Sequence, residues 1–266
     1  MGCPLVTLTT DFGLRDSYVA EMKAVILSIS PKTTVVDISH HIDKFNVRMG
    51  AYVLASASPR FPEGTVHVAV VDPGVGTRRR PIIVQTDKGF FVGPDNGVLA
   101  LAVKNIGGKT RVYSITNSEF MLPKVSSTFH GRDIFAPAAA HLVKGIRPAE
   151  FGPEIHQMLS PKFAKIIKRI DALEGQVIHV DDFGNIVTSF TEKEVRTMKT
   201  KDKLKVKVGN TELTLMLCTA YGDVEKQKPL AIIGSHNFLE ISVNQGDAAS
   251  TFKARVEDKV VMTRSD

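Results

Sequence analysis

The chain has 266 residues, 43% of them hydrophobic, which suffices to bury one large core or two ordinary ones. Its formal charge is +6, its cysteines, Cys3 and Cys218, stand alone, and no run of about 18 apolar residues occurs. These features exclude a zinc-finger spacing and a disulfide framework, and with no leader-like or membrane-spanning segment a cytoplasmic protein is expected.

The basic balance invites a nucleic-acid partner, most of all at PKFAKIIKRI (161–170) and TMKTKDKLKVKV (197–208). The lysines of the second segment alternate with Leu and Val as on the wet face of a strand, and no aromatics interleave for base stacking. A solvated basic face is the expectation, with neither nucleic acid nor membrane as a partner.

In chain order, Leu5 to Thr9 reads as a strand, followed by the polar loop TDFGLRDS (10–17). A helix capped by Asp16 or Ser17 follows, with Val19, Met22, Ile26 and Ile29 on one face and Pro31 past its end. TTVVDIS (33–39) is strand, 46–56 is helix, and 66–71 is strand again. This βαβαβ alternation predicts an α/β domain with a mostly parallel sheet flanked by helices. Ligands gather at the carboxyl ends of such strands, where Asp11, Asp37 and Asp72 stand.

HVAVV (67–71) and PIIVQ (81–85) are short, β-branched runs, so the loop between them opens on Asp72 at a strand end. Gly74 and Gly76 permit tight backbone geometry, and Thr77 to Arg80 add a hydroxyl and three fixed positive charges. A dinucleotide fingerprint fails, because Arg79 occupies its third glycine position and a strand follows in place of a helix. DKG (87–89) closes a hairpin, an apolar helix covers 98–104, RVYSI (111–115) is strand, and SSTFHGRD (126–133) opens into an alanine-rich helix.

Past residue 165 the pattern changes to short strands, with Gly209-Asn210 marking a hairpin. The expected organisation is an α/β N-terminal domain, residues 1–165, and a small antiparallel β-barrel domain, residues 166–266. His40-His41 with Asp37 and Asp43 could suggest a metal site, but adjacent side chains in extended chain point to opposite faces, so no metal is expected. His130 stands on a glycine-bearing loop at a helix start, where polar groups face a cleft.

Seven motifs taken together carry a resemblance: TLTTDFG (7–13), DISHHI (37–42), GTVHVAVVDPGVGTRRR (64–80), VGPDNG (92–97), SSTFHGRDIFAPAAA (126–140), DDFGN (181–185) and GSHNFLEISVN (234–244). In this order, over nearly the whole chain, they resemble the S-adenosyl-L-methionine hydroxide adenosyltransferases, formerly domain of unknown function 62 and relatives of the fluorinases and chlorinases. The resemblance implies hydrolysis of S-adenosyl-L-methionine to adenosine and L-methionine without a cofactor, in a homotrimer with sites at subunit interfaces.

By position, the family's water-handling triad falls on Asp72, Arg79 and His130. Asp11 matches the acid that holds the ribose hydroxyls, Asp181 the one that binds the methionine ammonium, and Asn185 and Ser235 polar contacts to the substrate's ends. Phe45 and Tyr221 fall where relatives place aromatics, and His236 replaces the arginine that halogenases carry after this serine. Halogenases resemble the chain too, but carry Tyr where Asp72 and His130 stand and Ser where Gly131 stands. The competing readings are a halogenase and a non-catalytic module that binds adenosine, S-adenosylmethionine or nucleic acid.

Overall fold

The computed structural model describes residues 4–163, 165–198 and 203–263. The chain divides into two compact units, Met1–Pro161 and Lys162–Asp266.

The first unit is built on a seven-stranded sheet. Its strands and helices run β1 (Leu5–Thr10), α1 (Tyr18–Ile29), β2 (Thr34–Ser39), α2 (Val47–Ala57), β3 (Thr65–Val70), β4 (Pro81–Gln85), β5 (Gly89–Pro94), α3 (Ala100–Ile106), β6 (Arg111–Ser114), α4 (Ala136–Val143) and β7 (Glu154–Ile155). The strand order is β2-β1-β3-β5-β4-β6-β7. The pairings β1–β2, β1–β3 and β3–β5 are parallel, whereas those from β5 through β4 and β6 to β7 are antiparallel. The sheet is thus mixed, and its antiparallel half begins at the hairpin closed by 87–89.

Period-two alternation decides which core each side chain enters. Val66, Val68 and Val70 of β3 join Val6, Leu8, Met22 of α1 and Ala139 of α4, whereas Ala69 and Val71 join Leu54 of α2, Phe91 and Ala102 of α3. Both faces are therefore covered, which is why the strands read as near-continuous apolar runs. Truncating a fully buried member such as Leu8 or Ile26 to Ala would cost about 2–5 kcal/mol.

The second unit contains β8 (Ile167–Lys168), β9 (Ala172–Val180), β10 (Ile186–Thr191), α5 (Glu192–Thr197), β11 (Lys203–Val208), β12 (Thr211–Cys218), β13 (Pro229–Ile233), β14 (Phe238–Val243), α6 (Ala248–Phe252) and β15 (Lys259–Thr263). Strand order β10-β14-β13-β12-β11-β15-β9 closes on itself through the pairing of β10 with β9, giving a barrel. All neighbours are antiparallel except β12 and β13. In β11 the lysines 203, 205 and 207 are exposed, while Leu204, Val206 and Val208 fill the core. Among the described residues, no helix is long and apolar enough to cross a membrane.

Candidate functional site

Asp72 emerges just past β3, after Val71 has turned into the core. The loop folds by successive tight turns, with Val75 N donating to Asp72 O at 3.2 Å and Thr77 N to Gly74 O at 3.1 Å. Gly76 has φ 74°, and a Cβ there would overlap the Ser127 carbonyl oxygen. Glycine therefore lets this loop lie against the segment that carries His130.

That approach assembles the three candidate catalytic groups. Arg79 Nε donates to both carboxylate oxygens of Asp72, at 3.1 and 2.9 Å, and Nη2 donates to Oδ2 at 2.5 Å. The same Nη2 lies 2.7 Å from His130 Nδ1. A guanidinium only donates, so Nδ1 accepts, and the neutral imidazole carries its proton on Nε2. Burial and the Arg79 charge hold the His130 pKa below its ordinary 6.5, against the opposing pull of Asp72, Asp133 and the Ser126 backbone. Both ion-pair partners are nearly sealed, with side-chain exposures of 9% for Arg79 and 5% for Asp72.

The loop bearing His130 is held by Asp133, which is fully buried. Asp133 accepts from Ser126 N at 2.7 Å and from Arg132 Nε at 2.7 Å, while Arg132 Nη1 reaches Glu21 at 2.8 Å. A π-helical turn, Gly131–Phe135, joins His130 to α4. Such turns interrupt α-helical spacing and recur at functional sites. A Cβ on Gly131 would sit 3.2 Å from both Met22 Sδ and the Phe129 ring, so a larger residue there would displace the wall beside His130.

Asp11 follows β1, and its Oδ2 accepts from Phe45 N at 2.8 Å, fixing Phe45 at φ 65°. Asp11, Phe45, Asp72 and His130 line one cleft of about 310 Å³, in which Phe12, Tyr18 and Phe129 form an aromatic wall with ring centroids 5.1–5.7 Å apart. Arg79 is not among the lining residues and backs Asp72 and His130. The lining carries three aspartates, Asp11, Asp16 and Asp72, against one lysine, Lys44.

Asp37 departs from the expectation that three acids share this rim. It lies within β2, bound to Lys23 Nζ at 2.6 Å and to His40 Nε2 at 3.1 Å. The other ring nitrogen of His40 is 2.8 Å from Thr10 Oγ1 and His41 is exposed, so the adjacent histidines point apart. Among the described residues, no group of three or more His, Cys, Asp or Glu side chains could hold a metal ion.

The remaining candidates belong to the barrel unit. Asp181 Oδ1 accepts from Phe183 N and Asn185 N at 3.0 and 2.9 Å, and Oδ2 from Asn185 Nδ2 at 2.8 Å. Tyr221 donates its hydroxyl to Glu240 Oε2 at 3.1 Å, and burial together with Glu240 pushes its pKa up to about 12. Ser235 is exposed on the turn between β13 and β14. Sequence reasoning missed Asp133, the aromatic wall and Glu240. All but Tyr18 lie inside the quoted motifs, and a charged residue in the apolar run FLEISV was the available signal for Glu240.

Family models for the SAM hydroxide adenosyltransferase N-terminal and C-terminal domains match residues 6–152 and 175–261. The chain belongs to the SAM hydroxide adenosyltransferase family. It is 36% identical over 266 residues to an (R)-S-adenosyl-L-methionine hydrolase of Salinispora tropica, covering 98% of each chain. A fluorinase of Actinopolyspora mzabensis is more distant, 25% identical over 294 residues and 98% of each chain. Among solved structures, an uncharacterized conserved protein from Thermotoga maritima superposes with a TM-score of 0.92 at 37% identity, over 97% of this family member and 100% of that chain.

Proposed function

We propose that the protein hydrolyses S-adenosyl-L-methionine, in the (R)-sulfonium form named for its hydrolase relatives, to adenosine and L-methionine. The observation that carries this reading is the Asp72–Arg79–His130 assembly on the wall of an acid-lined cleft. A sulfonium is a cation, and with Asp72 matched by Arg79 the cleft still carries Asp11 and Asp16 against Lys44, which favours it.

Water attacks C5′, the C5′–O bond forms, and the C5′–S bond breaks with its electron pair passing to sulfur. The leaving thioether is neutral, so neither a general acid nor a metal is needed to expel it. Asp72 accepts a hydrogen bond from the attacking water, orienting a lone pair at carbon, and takes up the proton released as the bond forms before passing it to solvent. His130, protonated on Nε2, acts as a donor to the water oxygen and not as the base. Arg79 holds both groups in register from behind and opposes any second protonation of the imidazole. Asp11 and Phe45 hold the ribose and its surroundings, while Asp181, Asn185, Tyr221 and Ser235 serve the methionine end.

Asp72 and the crowding at Gly131 both disfavour the halogenase alternative, since a halide would meet a carboxylate and a serine would press on Met22 and Phe129. The homotrimer with sites at subunit interfaces belongs to the same reading and rests on the resemblance, and a cytoplasmic location rests on the sequence expectation of no leader-like or membrane-spanning segment. The deciding assay incubates the protein with each sulfonium epimer in chloride buffer and resolves the nucleosides. Adenosine from the wild type and none from Asp72→Ala is expected, chloroadenosine would make the protein a halogenase, and binding without turnover a ligand-binding module. A fully active monomer would refute the shared site.

A further inference from the structure

His40 is a buried ionisable side chain, 3% exposed, to which the reaction above gives no part. It reaches its place through an irregularity in the sheet. Along the parallel pair β1–β2, Leu8 is in register with Asp37 but Thr9 with Ser39, so β2 carries one extra residue, Ile38, against β1. Such irregularities re-aim side chains beside functional sites. Beyond this one the His40 ring meets Thr10, which ends β1 and immediately precedes Asp11.

The contacts around the ring form a chain with a direction. Phe12 N donates to Thr10 Oγ1 at 3.3 Å, and Thr10 Oγ1 lies 2.8 Å from His40 Nδ1. Asp37 Oδ1 lies 3.1 Å from Nε2, and a carboxylate only accepts, so the neutral ring keeps its proton on Nε2 and Nδ1 accepts from the Thr10 hydroxyl. The Asp37 approach is off the hydrogen-bond line, so the carboxylate orients the ring by its charge, and Lys23 Nζ holds that carboxylate at 2.6 Å. The His40 main chain clasps the same turn from its other end, its carbonyl accepting from Gly13 N at 2.8 Å. Asp11 and Phe12 stand between the two clasps. Asp11 takes Phe45 N on Oδ2 and lines the cleft, and Phe12 belongs to its aromatic wall.

We propose that His40 is a positioning residue: through Thr10 and Gly13 it holds the 10–13 turn so that Asp11 meets the ribose hydroxyls with its carboxylate already aimed. This rests on S-adenosylmethionine being the substrate and on Asp11 holding its ribose. One carboxylate that serves a vicinal diol must have both its position and its plane fixed. A turn free to shift would lose that contact and leave Asp72, Arg79 and His130, which other elements carry, in place.

Steady-state kinetics with S-adenosylmethionine and with its 2′-deoxy analogue provide the test. His40→Gln sets its amide toward Asp37 and leaves no acceptor at the place of Nδ1. It is expected to raise KM for S-adenosylmethionine about 10-fold with kcat within about threefold of wild type, and to change KM for the deoxy analogue, which offers Asp11 one hydroxyl fewer, by less than about threefold. His40→Asn, whose amide oxygen reaches the place of Nδ1 and accepts from Thr10, should restore most of the loss. Added to Asp11→Ala, His40→Gln should bring no further loss, because the carboxylate it positions is gone. Thr10→Val, similar in shape but without the hydroxyl, should reproduce the split between the two substrates and decides the matter where His40→Gln does not fold. Equal losses on both substrates, additive losses in the double variant, or no loss would overturn the assignment while wild-type turnover leaves the hydrolase reading standing. A wild type that leaves S-adenosylmethionine intact overturns both.

Discussion

Two polar clusters in this molecule, one in each unit, differ in how their charge is met. In the α/β unit the sealed Asp72 carboxylate is matched by a sealed Arg79 guanidinium, which in turn fixes His130. In the barrel unit the buried Glu240 has a phenol for a partner and a like charge in Asp181 for a neighbour. An internally compensated cluster keeps its geometry before any ligand arrives, as reacting groups must. An uncompensated one leaves a buried carboxylate with no counter-charge among the described residues of its own unit.

The comparison breaks most severely if the compensation is removed from the first cluster. Arg79→Ala leaves Asp72 buried without its cation and His130 without the donor that sets its tautomer. We expect kcat to fall on the order of 1,000-fold and stability to drop by about 3–5 kcal/mol, read by single-turnover kinetics and urea unfolding. Arg79→Lys should rescue little, because an ammonium cannot span both Asp72 oxygens and His130 Nδ1 at once. Near-normal turnover in either variant would remove the assembly from the chemistry.

A smaller effect is expected from Asp133→Asn. The carboxylate takes Ser126 N on Oδ2 and Arg132 on both oxygens, and an amide can accept on only one side. The loop that presents His130 should loosen, lowering kcat by about 10- to 100-fold while KM stays within about threefold. A change in KM alone would mean that Asp133 serves binding and not the placement of His130.

Much of the fold was legible because local chemistry and tertiary environment agree. Asn46 caps α2 by accepting from Met49 N at 3.0 Å, and the lysines of β11 alternate with its core residues. The closure of the barrel fits its regular short strands. The parallel pairing of β12 with β13 was not legible, since strand direction is set by the connection across 219–228 and not by either strand's pattern. Asp37 misled for a related reason: it looks like a strand-end acid, but β2 continues to Ser39 and Lys23 of α1 claims it. Asp72 and Arg79 share one loop and were open to inspection, whereas their contact with His130, 51 residues beyond Arg79, depends on Gly76 letting two backbones meet. Periodicity carries no information on such a contact, and the resemblance supplied it.

The finest distinction between the clusters is one of acid response. Protonating His130 would put an N–H on Nδ1 facing Arg79 Nη2, cation against cation, so the form competent for the reaction is the neutral one. Its pKa is already held below 6.5 by burial and by Arg79. Activity should therefore be flat through pH 7 and decline only as pH falls through that lowered value, with kcat/KM proportional to the neutral fraction. Asp133 is one of the negative charges that support the imidazolium, and neutralising it in Asp133→Asn should move the acid limb further toward low pH, whereas if His130 worked in its charged form the limb that moved would be a loss of activity with rising pH. A profile that rises as the imidazole becomes protonated would overturn the acceptor role given to Nδ1 opposite Arg79, and with it the view that the α/β cluster is complete before the substrate arrives.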